Sequence, residues 1–175
     1  MKEIVFTVPE EFPYVLLACC ILALECQVIG MWKTIGARVK TFDTGFMAKF
    51  KSEHQAAFGK DKEPAALGFP DCGNGFYSDK LSYKQWFEFN NSFRVHQNFI
   101  EQLPFVLGFL LLGGLVHPWY AMWVGYLHCV GRIVYTVGYT KYGPNMRLPG
   151  AVLGVLPLYA LGAATTYTCV KELLI

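Results

Sequence analysis

The sequence predicts an all-α integral membrane protein built as a bundle of four transmembrane helices. Hydrophobic residues make up 54% of the 175 positions and charged residues only 16%, well below the roughly 25% charged of a soluble domain. Four stretches, at about 12–32, 99–116, 118–139 and 148–170, approach or reach the roughly 20 mostly apolar residues that a helix needs to cross a bilayer. Basic residues gather between the first and second of them and again between the third and fourth, the asymmetry that marks cytosolic loops.

The first helix, about 12–32, follows Glu3, Glu10 and Glu11 with a single early lysine. The basic leader of a cleaved signal peptide is absent, so this span is expected to stay in the mature protein. A long loop at about 34–83 comes next. Its segment "GFPDCGNGFYSD" is dense in turn formers and has neither a Gly-x-Gly-x-x-Gly nor a phosphate-loop pattern. It reads as a solvated cytosolic connector with one short helix, and the Asn90-Asn91-Ser92 sequon beyond it, on the expected cytosolic side, would go unused.

The second helix starts ahead of its apolar run, at about 84, because no breaker separates Ser82 from Gln102. It ends at His117-Pro118, which turns the chain straight into the third helix, about 118–140. Pro149 suits the first turn of the fourth, about 148–171, where its missing N–H costs nothing. The loop lysines and arginines place both termini away from the cytosol and the two basic loops in it. Pro104 and Pro157 are expected to kink their helices, and Gly113, Gly114, Gly125, Gly131 and Gly138 suit close helix packing.

Polar residues collect at one level of this bundle. Arg94, Asn98 and Glu101 are spaced i, i+4, i+7, so they share one narrow helical face. At about 1.5 Å per residue from the His117-Pro118 turn, these three and Arg132, Tyr135 and Tyr139 all lie roughly 20–35 Å away. That is the cytosolic end of a core about 30 Å thick. Arg147, in the short loop entering the fourth helix, belongs to the same level. Guanidinium forks pair with carboxylates, a glutamate suits an ammonium, and Asn and Tyr supply neutral hydrogen bonds. Glutathione, with two carboxylates, one ammonium and a thiol, matches that set. Its thiol has an ordinary pKa near 8.5 and becomes a nucleophile beside a cation. Arg147, at the mouth where a lipophilic electrophile arrives, is the expected cation.

The segments "RVHQNFIEQLPF", "GGLVHPWYA", "VGRIVYTVGY" and "GPNMRLPGA" follow in the order and spacing of the membrane-associated eicosanoid and glutathione metabolism (MAPEG) family, which the chain resembles. Within it the sequence is most similar to the type-three microsomal glutathione transferase branch. The likeness is clear over about 88–155, weak over the first helix, and leaves out the long loop at about 42–80. It implies a homotrimer in the endoplasmic reticulum or a related membrane, with glutathione bound between subunits on the cytosolic side. It implies a glutathione transferase, with glutathione as co-substrate, that conjugates lipophilic electrophiles or reduces lipid hydroperoxides. By matching position, Arg94, Asn98, Glu101, Arg132, Tyr135 and Tyr139 would bind glutathione, His96 would reach it from the adjacent subunit, and Arg147 would stabilise the thiolate. Leukotriene-forming members carry a tyrosine where this chain has Gln102, and a basic residue near the end of the first helix whose counterpart is Lys33 or Arg38. That departure favours the transferase over a leukotriene-C4-synthase-like conjugation of a lipid epoxide. Retention of the polar set favours both over a non-enzymatic lipid-binding member.

Other residues read as structural. Glu25, midway through the first span, faces the bundle interior or a subunit interface, while His117 suits the turn and His128 the interior. Cys19, Cys20, Cys26, Cys129 and Cys169 lie in apolar runs without ligand spacing and read as small buried hydrophobes. His96 and Glu101 lack further ligands at metal-binding spacing, so no metal is expected. The dispersed basic residues and net charge of +2 point away from nucleic acid.

Overall fold

A computed structural model of the chain describes residues 7–66 and 71–174, all helix and connecting turn with no strand among them. Helix α1 spans Phe12–Thr41, changing from α-helical at Phe12–Ile29 to π-helical at Gly30–Ile35 and back at Gly36–Thr41. Short α2 (Thr44–Met47) and α3 (Lys51–Phe58) follow, then the long α4 (Tyr83–Val116), α5 (Pro118–Tyr142) and α6 (Leu148–Leu174). Three helical stretches, Phe12–Thr41, Tyr83–Val116 and Pro144–Glu172, are long and apolar enough to cross a membrane. The fourth long helix, α5, carries His128 and Arg132 in its interior. The chain forms two compact units. One holds the described residues up to Gln27 and from Asn98 onward; the other is Val28–Gln97.

The first unit is a four-helix packing made possible by small residues. A Cβ added at Gly125 of α5 would come within 2.7 Å of the Ala18 side chain of α1, and one at Gly114 of α4 within 2.9 Å of Val15. Gly113 of α4 likewise makes room for Leu161 of α6, and Gly162 of α6 for Phe109. The closest crossing joins α5 to α6. A Cβ on Gly150 would collide with the Tyr135 amide and lie 2.5 Å from the Gly131 carbonyl, and one on Gly138 would strike the Met146 carbonyl. Two backbones this close leave no room for any side chain, which is how small residues drive association of apolar helices.

His117 alone separates α4 from α5, with Pro118 at the first helical position. Its amide bonds the Gly113 carbonyl at 2.6 Å and its Nε2 lies 3.1 Å from Thr168 Oγ1, so the residue read from sequence as a turn former also ties the turn to α6. Of the cysteines expected to be buried, Cys19, Cys26 and Cys129 are, whereas Cys20 and Cys169 are exposed on the helices' outer faces. An apolar run says that a segment avoids water; it does not say which side meets protein.

The Val28–Gln97 unit differs from the connector with one short helix expected at about 34–83. Phe42, Phe46, Met47, Phe50 and Phe89 form a buried cluster with Ala37, Tyr77, Leu81 and Phe93 packed against it. The Phe42 ring meets Phe89 edge-on at 5.1 Å and Phe46 at 5.5 Å, geometries that aromatic pairs favour. Asp43 caps α2 by accepting from the Phe46 amide at 2.8 Å. Ser82 and Gln85 form a reciprocal capping box at the start of α4, each side chain taking up the other's amide. Asp71 organises the turn that the sequence marked as solvated. Its carboxylate accepts from the amides of Gly73, Tyr77 and Ser78 at 2.9–3.0 Å and from the Ser78 hydroxyl. Trp86 Nε1 donates to the Gly73 carbonyl at 2.6 Å. The aromatic spacing over 42–50 was visible in the sequence, but the turn formers after it masked what those rings would pack against.

Partial burial opposes ionisation of Asp71, and the hydrogen bonds into its carboxylate outweigh that, holding it below the ordinary aspartate range. A lowered folded-state pKa contributes stability that is complete above the unfolded value of about 3.9 and is lost as pH falls through the folded one. Hydrogen-exchange protection factors at Gly73, Tyr77 and Ser78 are therefore expected to stay constant from neutral pH to about 4 and to fall below it. In Asp71→Ala they should be low at every pH. In the first unit, Gly150→Leu should lower stability in detergent by about 3 kcal/mol or more through overpacking, read by thermal unfolding. Gly108→Leu, at a glycine whose Cβ would meet nothing within 4 Å, should be tolerated.

Candidate functional site

The polar residues of α5 recur at 128, 132, 135 and 139, one helical face, and that whole face is buried. At its centre Arg132 is only 4% exposed. A guanidinium so placed must be hydrogen-bonded and stacked. It donates from Nη1 to Asn98 Oδ1 of α4 at 3.1 Å, and its Cζ lies 4.1 Å from the Phe99 ring centroid and 4.6 Å from that of Tyr135. The Tyr135 and Tyr139 rings lie 5.7 Å apart, and Arg147 Cζ is 5.5 Å from the Tyr139 ring. A continuous track of cation and aromatic contacts thus runs from Asn98 through Arg132, Tyr135 and Tyr139 to Arg147. Arg147 sits in a 3₁₀ turn, Pro144–Arg147, directly ahead of α6 and is half-buried.

Beside Arg132 is a narrow cleft of about 20 Å³, bounded by Asn98, Gln102, His128, Tyr135, Gly150 and Gly154 among others. Its walls come from α4, α5 and α6, and the Gly150 approach fixes one of them. On the other side of Gln102 and Val155, which line both spaces, an apolar groove of about 310 Å³ continues between α4 and α6 along Phe105, Val106, Phe109, Leu158 and Tyr159. A polar cleft and an apolar groove therefore share a wall.

Of the residues singled out from the sequence, Asn98, Arg132, Tyr135, Tyr139 and Arg147 meet in this one unit. Glu101 is on α4 in the same unit and is exposed. Arg94 and His96 belong to the Val28–Gln97 unit, where Arg94 is exposed on α4. The His96 imidazole there fills the space beside Gly30, at the start of the π-helical stretch, such that a Cβ on Gly30 would come within 2.5 Å of Nε2. Of the two basic residues weighed in the first helix, Arg38 lies over the Phe93 ring at 5.9 Å and Lys33 is exposed on the π-helical stretch. Phe99 went unassigned in the sequence reading, and His128 was read there as an interior residue, not as part of the site. His128, four residues before Arg132, had the periodicity to signal its place on the site's face. Both carboxylate oxygens of Glu25 are buried in the first unit without a hydrogen-bond partner among the described residues, the interior placement foreseen for it. Among the described residues no group of three or more His, Cys, Asp or Glu is arranged to hold a metal ion.

Long apolar helices packed through glycines around a buried guanidinium, with an apolar groove against a polar cleft, define an integral membrane protein. The chain belongs to the MAPEG family, whose model matches residues 15–167. That family includes glutathione transferases, peroxidases and leukotriene synthases, and also members without enzymatic activity.

Removing the amide that holds Arg132 tests how the site is built. Asn98→Ala should cost about 1.5–3 kcal/mol, the worth of a hydrogen bond to a charged group, seen as a lower unfolding temperature in detergent. Asn98→Gln, which keeps an acceptor on a longer arm, should recover part of it.

Proposed function

We propose that the protein is a glutathione-dependent membrane transferase with glutathione peroxidase activity, closest in kind to the type-three microsomal branch. It acts on lipophilic electrophiles and lipid hydroperoxides. The observation that carries this reading is the wall formed by Gln102 and Val155, with arginine, amide and phenol on one side and an apolar groove on the other. Two substrates of opposite polarity can meet there, and bringing them together supplies much of the catalysis.

In this reading all four long helices cross the membrane and the site faces the cytosol from the endoplasmic reticulum or a related organelle. Arg94, Asn98, Arg132, Tyr135 and Tyr139 bind the glutathione carboxylates and backbone, and Glu101 takes the ammonium. The cleft of about 20 Å³ beside Arg132 has room for about one water molecule, far short of a tripeptide. That supports a site completed by a neighbouring subunit of a homotrimer, to which His96 contributes. Arg147 stabilises the thiolate. The S–H bond gives its proton to solvent, and the sulfur then attacks an electrophilic carbon to form a thioether, either expelling that carbon's leaving group as an anion or opening a strained C–O or conjugated C=C bond whose electron pair then takes a proton from solvent. With a hydroperoxide, the sulfur takes the terminal oxygen, the O–O bond breaks, and the lipid leaves as an alcohol after protonation. A second glutathione reduces the resulting sulfenic acid to disulfide and water. Gln102 in place of tyrosine makes leukotriene synthesis the weaker assignment.

Titrating glutathione into the detergent-purified protein, while following thiolate absorbance and turnover of a model electrophile and a lipid hydroperoxide, tests the reading. Arg94→Ala should weaken glutathione binding by about 10- to 100-fold, as loss of a charge-assisted hydrogen bond does. Arg147→Ala should leave binding largely intact. It should raise the bound thiol's pKa by about 1–2 units, cutting thiolate and turnover at pH 7 by roughly 10- to 100-fold. A wild-type protein that binds lipid but no glutathione would instead be a non-enzymatic lipid binder.

A further inference from the structure

We infer that His128 forms a hydrogen-bond-accepting subsite at the inner end of the Arg132 cleft, and that it takes an O–H or N–H donor there. The donor is a bound water in the free protein and a ligand group when the site is loaded; this second source rests on the function proposed above.

His128 is 1% exposed. Its Nδ1 lies 3.0 Å from the Gly154 carbonyl oxygen. A carbonyl only accepts, so Nδ1 carries the hydrogen and donates, and the neutral ring presents Nε2 as a bare lone pair. Nε2 is itself buried and has no hydrogen-bond partner among the described residues, although His128 lines the cleft. A buried acceptor without a donor costs about 1–3 kcal/mol, and native interiors nearly always fill such a place with water or ligand. The room is there: about 20 Å³ exceeds the roughly 10–15 Å³ that a cavity needs to hold one water. The neighbours are there too, because Gln102 and Asn98, both amides, line the same cleft and a buried water needs two to four polar partners. Gly154 leaves the ring its room, since a Cβ added to it would sit 3.0 Å from Nδ1, and its carbonyl orients the ring.

The other ionisable groups near this ring have different constraints. Arg132 has no acceptor atom and bonds Asn98. The Asn98 oxygen already accepts from it, so His128 adds an acceptor beside the Gln102 amide and the Tyr135 phenol that line the same cleft. This makes it a positioning residue for a donor group, set one helical turn from Arg132 toward the apolar groove.

Nitrogen-15 NMR of the full-length protein labelled at histidine, in detergent with and without saturating glutathione, tests the subsite. The His128 signals are assigned by their disappearance in His128→Asn, whose amide can still donate to the Gly154 carbonyl. In the free protein Nδ1 should be protonated, and Nε2 should be unprotonated and shifted by an accepted hydrogen bond, with magnetisation transfer to water. With glutathione bound, movement of the Nε2 signal and loss of the water contact assign the donor to the ligand; an unmoved signal leaves water as the donor in both states and overturns the ligand half of the inference. His128→Asn should then weaken glutathione binding by about 2- to 10-fold in the first case, the worth of one neutral hydrogen bond, and leave it unchanged in the second. A protonated Nε2, or a bare Nε2 accepting nothing in either state, overturns the inference. Failure of the wild type to bind glutathione removes the proposed function but leaves the free-protein measurement to decide the subsite.

Discussion

A guanidinium cannot sit bare among apolar helices, and the arrangement of the first unit follows from how Arg132 is satisfied. Its charge is delocalised and planar, so rings can cover its faces while amides bond its edge. Phe99 and Tyr135 lie over it and Asn98 accepts from it, which fixes the register of α4 against α5. The same face carries Tyr139, and through it Arg147. A residue too costly to place in a membrane for stability alone thus sets where the neighbouring polar groups stand.

That placement depends on backbones rather than on side chains. Gly131 and Gly138 let α6 approach until Gly150 stands against the Tyr135 amide, and the cleft beside Arg132 is what remains open along that seam. In water the burial of large apolar side chains would drive such packing; between apolar helices in lipid that drive is largely absent and close contact takes its place. Many large apolar residues accordingly point outward, with Trp119, Trp123, Phe105 and Tyr159 all exposed, while Leu22, Phe99, Leu110 and Leu161 fill the interior. The apolar groove beside Tyr159 is part of that outer surface and opens to the side.

The Val28–Gln97 unit follows ordinary aqueous rules. Its phenylalanines cluster and its turn is organised by one carboxylate, and it has a capping box, an aspartate N-cap and ion pairs such as Lys80 with Glu53. Much of the site was legible in the sequence because it lies on helices, where spacing reports direction. Arg132, Tyr135 and Tyr139 at i, i+3, i+7 had to share a face, and counting from the His117 turn brought Asn98 to the same level. The aromatic cluster was harder to read. Phe42 and Phe89 are far apart in sequence, and nothing local announces that two such rings will meet.

The sequence by itself determined the long helices, their breaks at His117-Pro118 and before Pro149, and the face on which each of their polar residues stands, because these depend on periodicity and on the backbone limits of proline and glycine. Only the tertiary structure decided which faces meet. It set Asn98 against Arg132, bared the Nε2 of His128 in a cleft, and turned Cys20 and Cys169 outward while Cys19 and Cys129 went in. Those outcomes depend on how closely two backbones approach, a quantity fixed by pairs of small residues on different helices and invisible along either one.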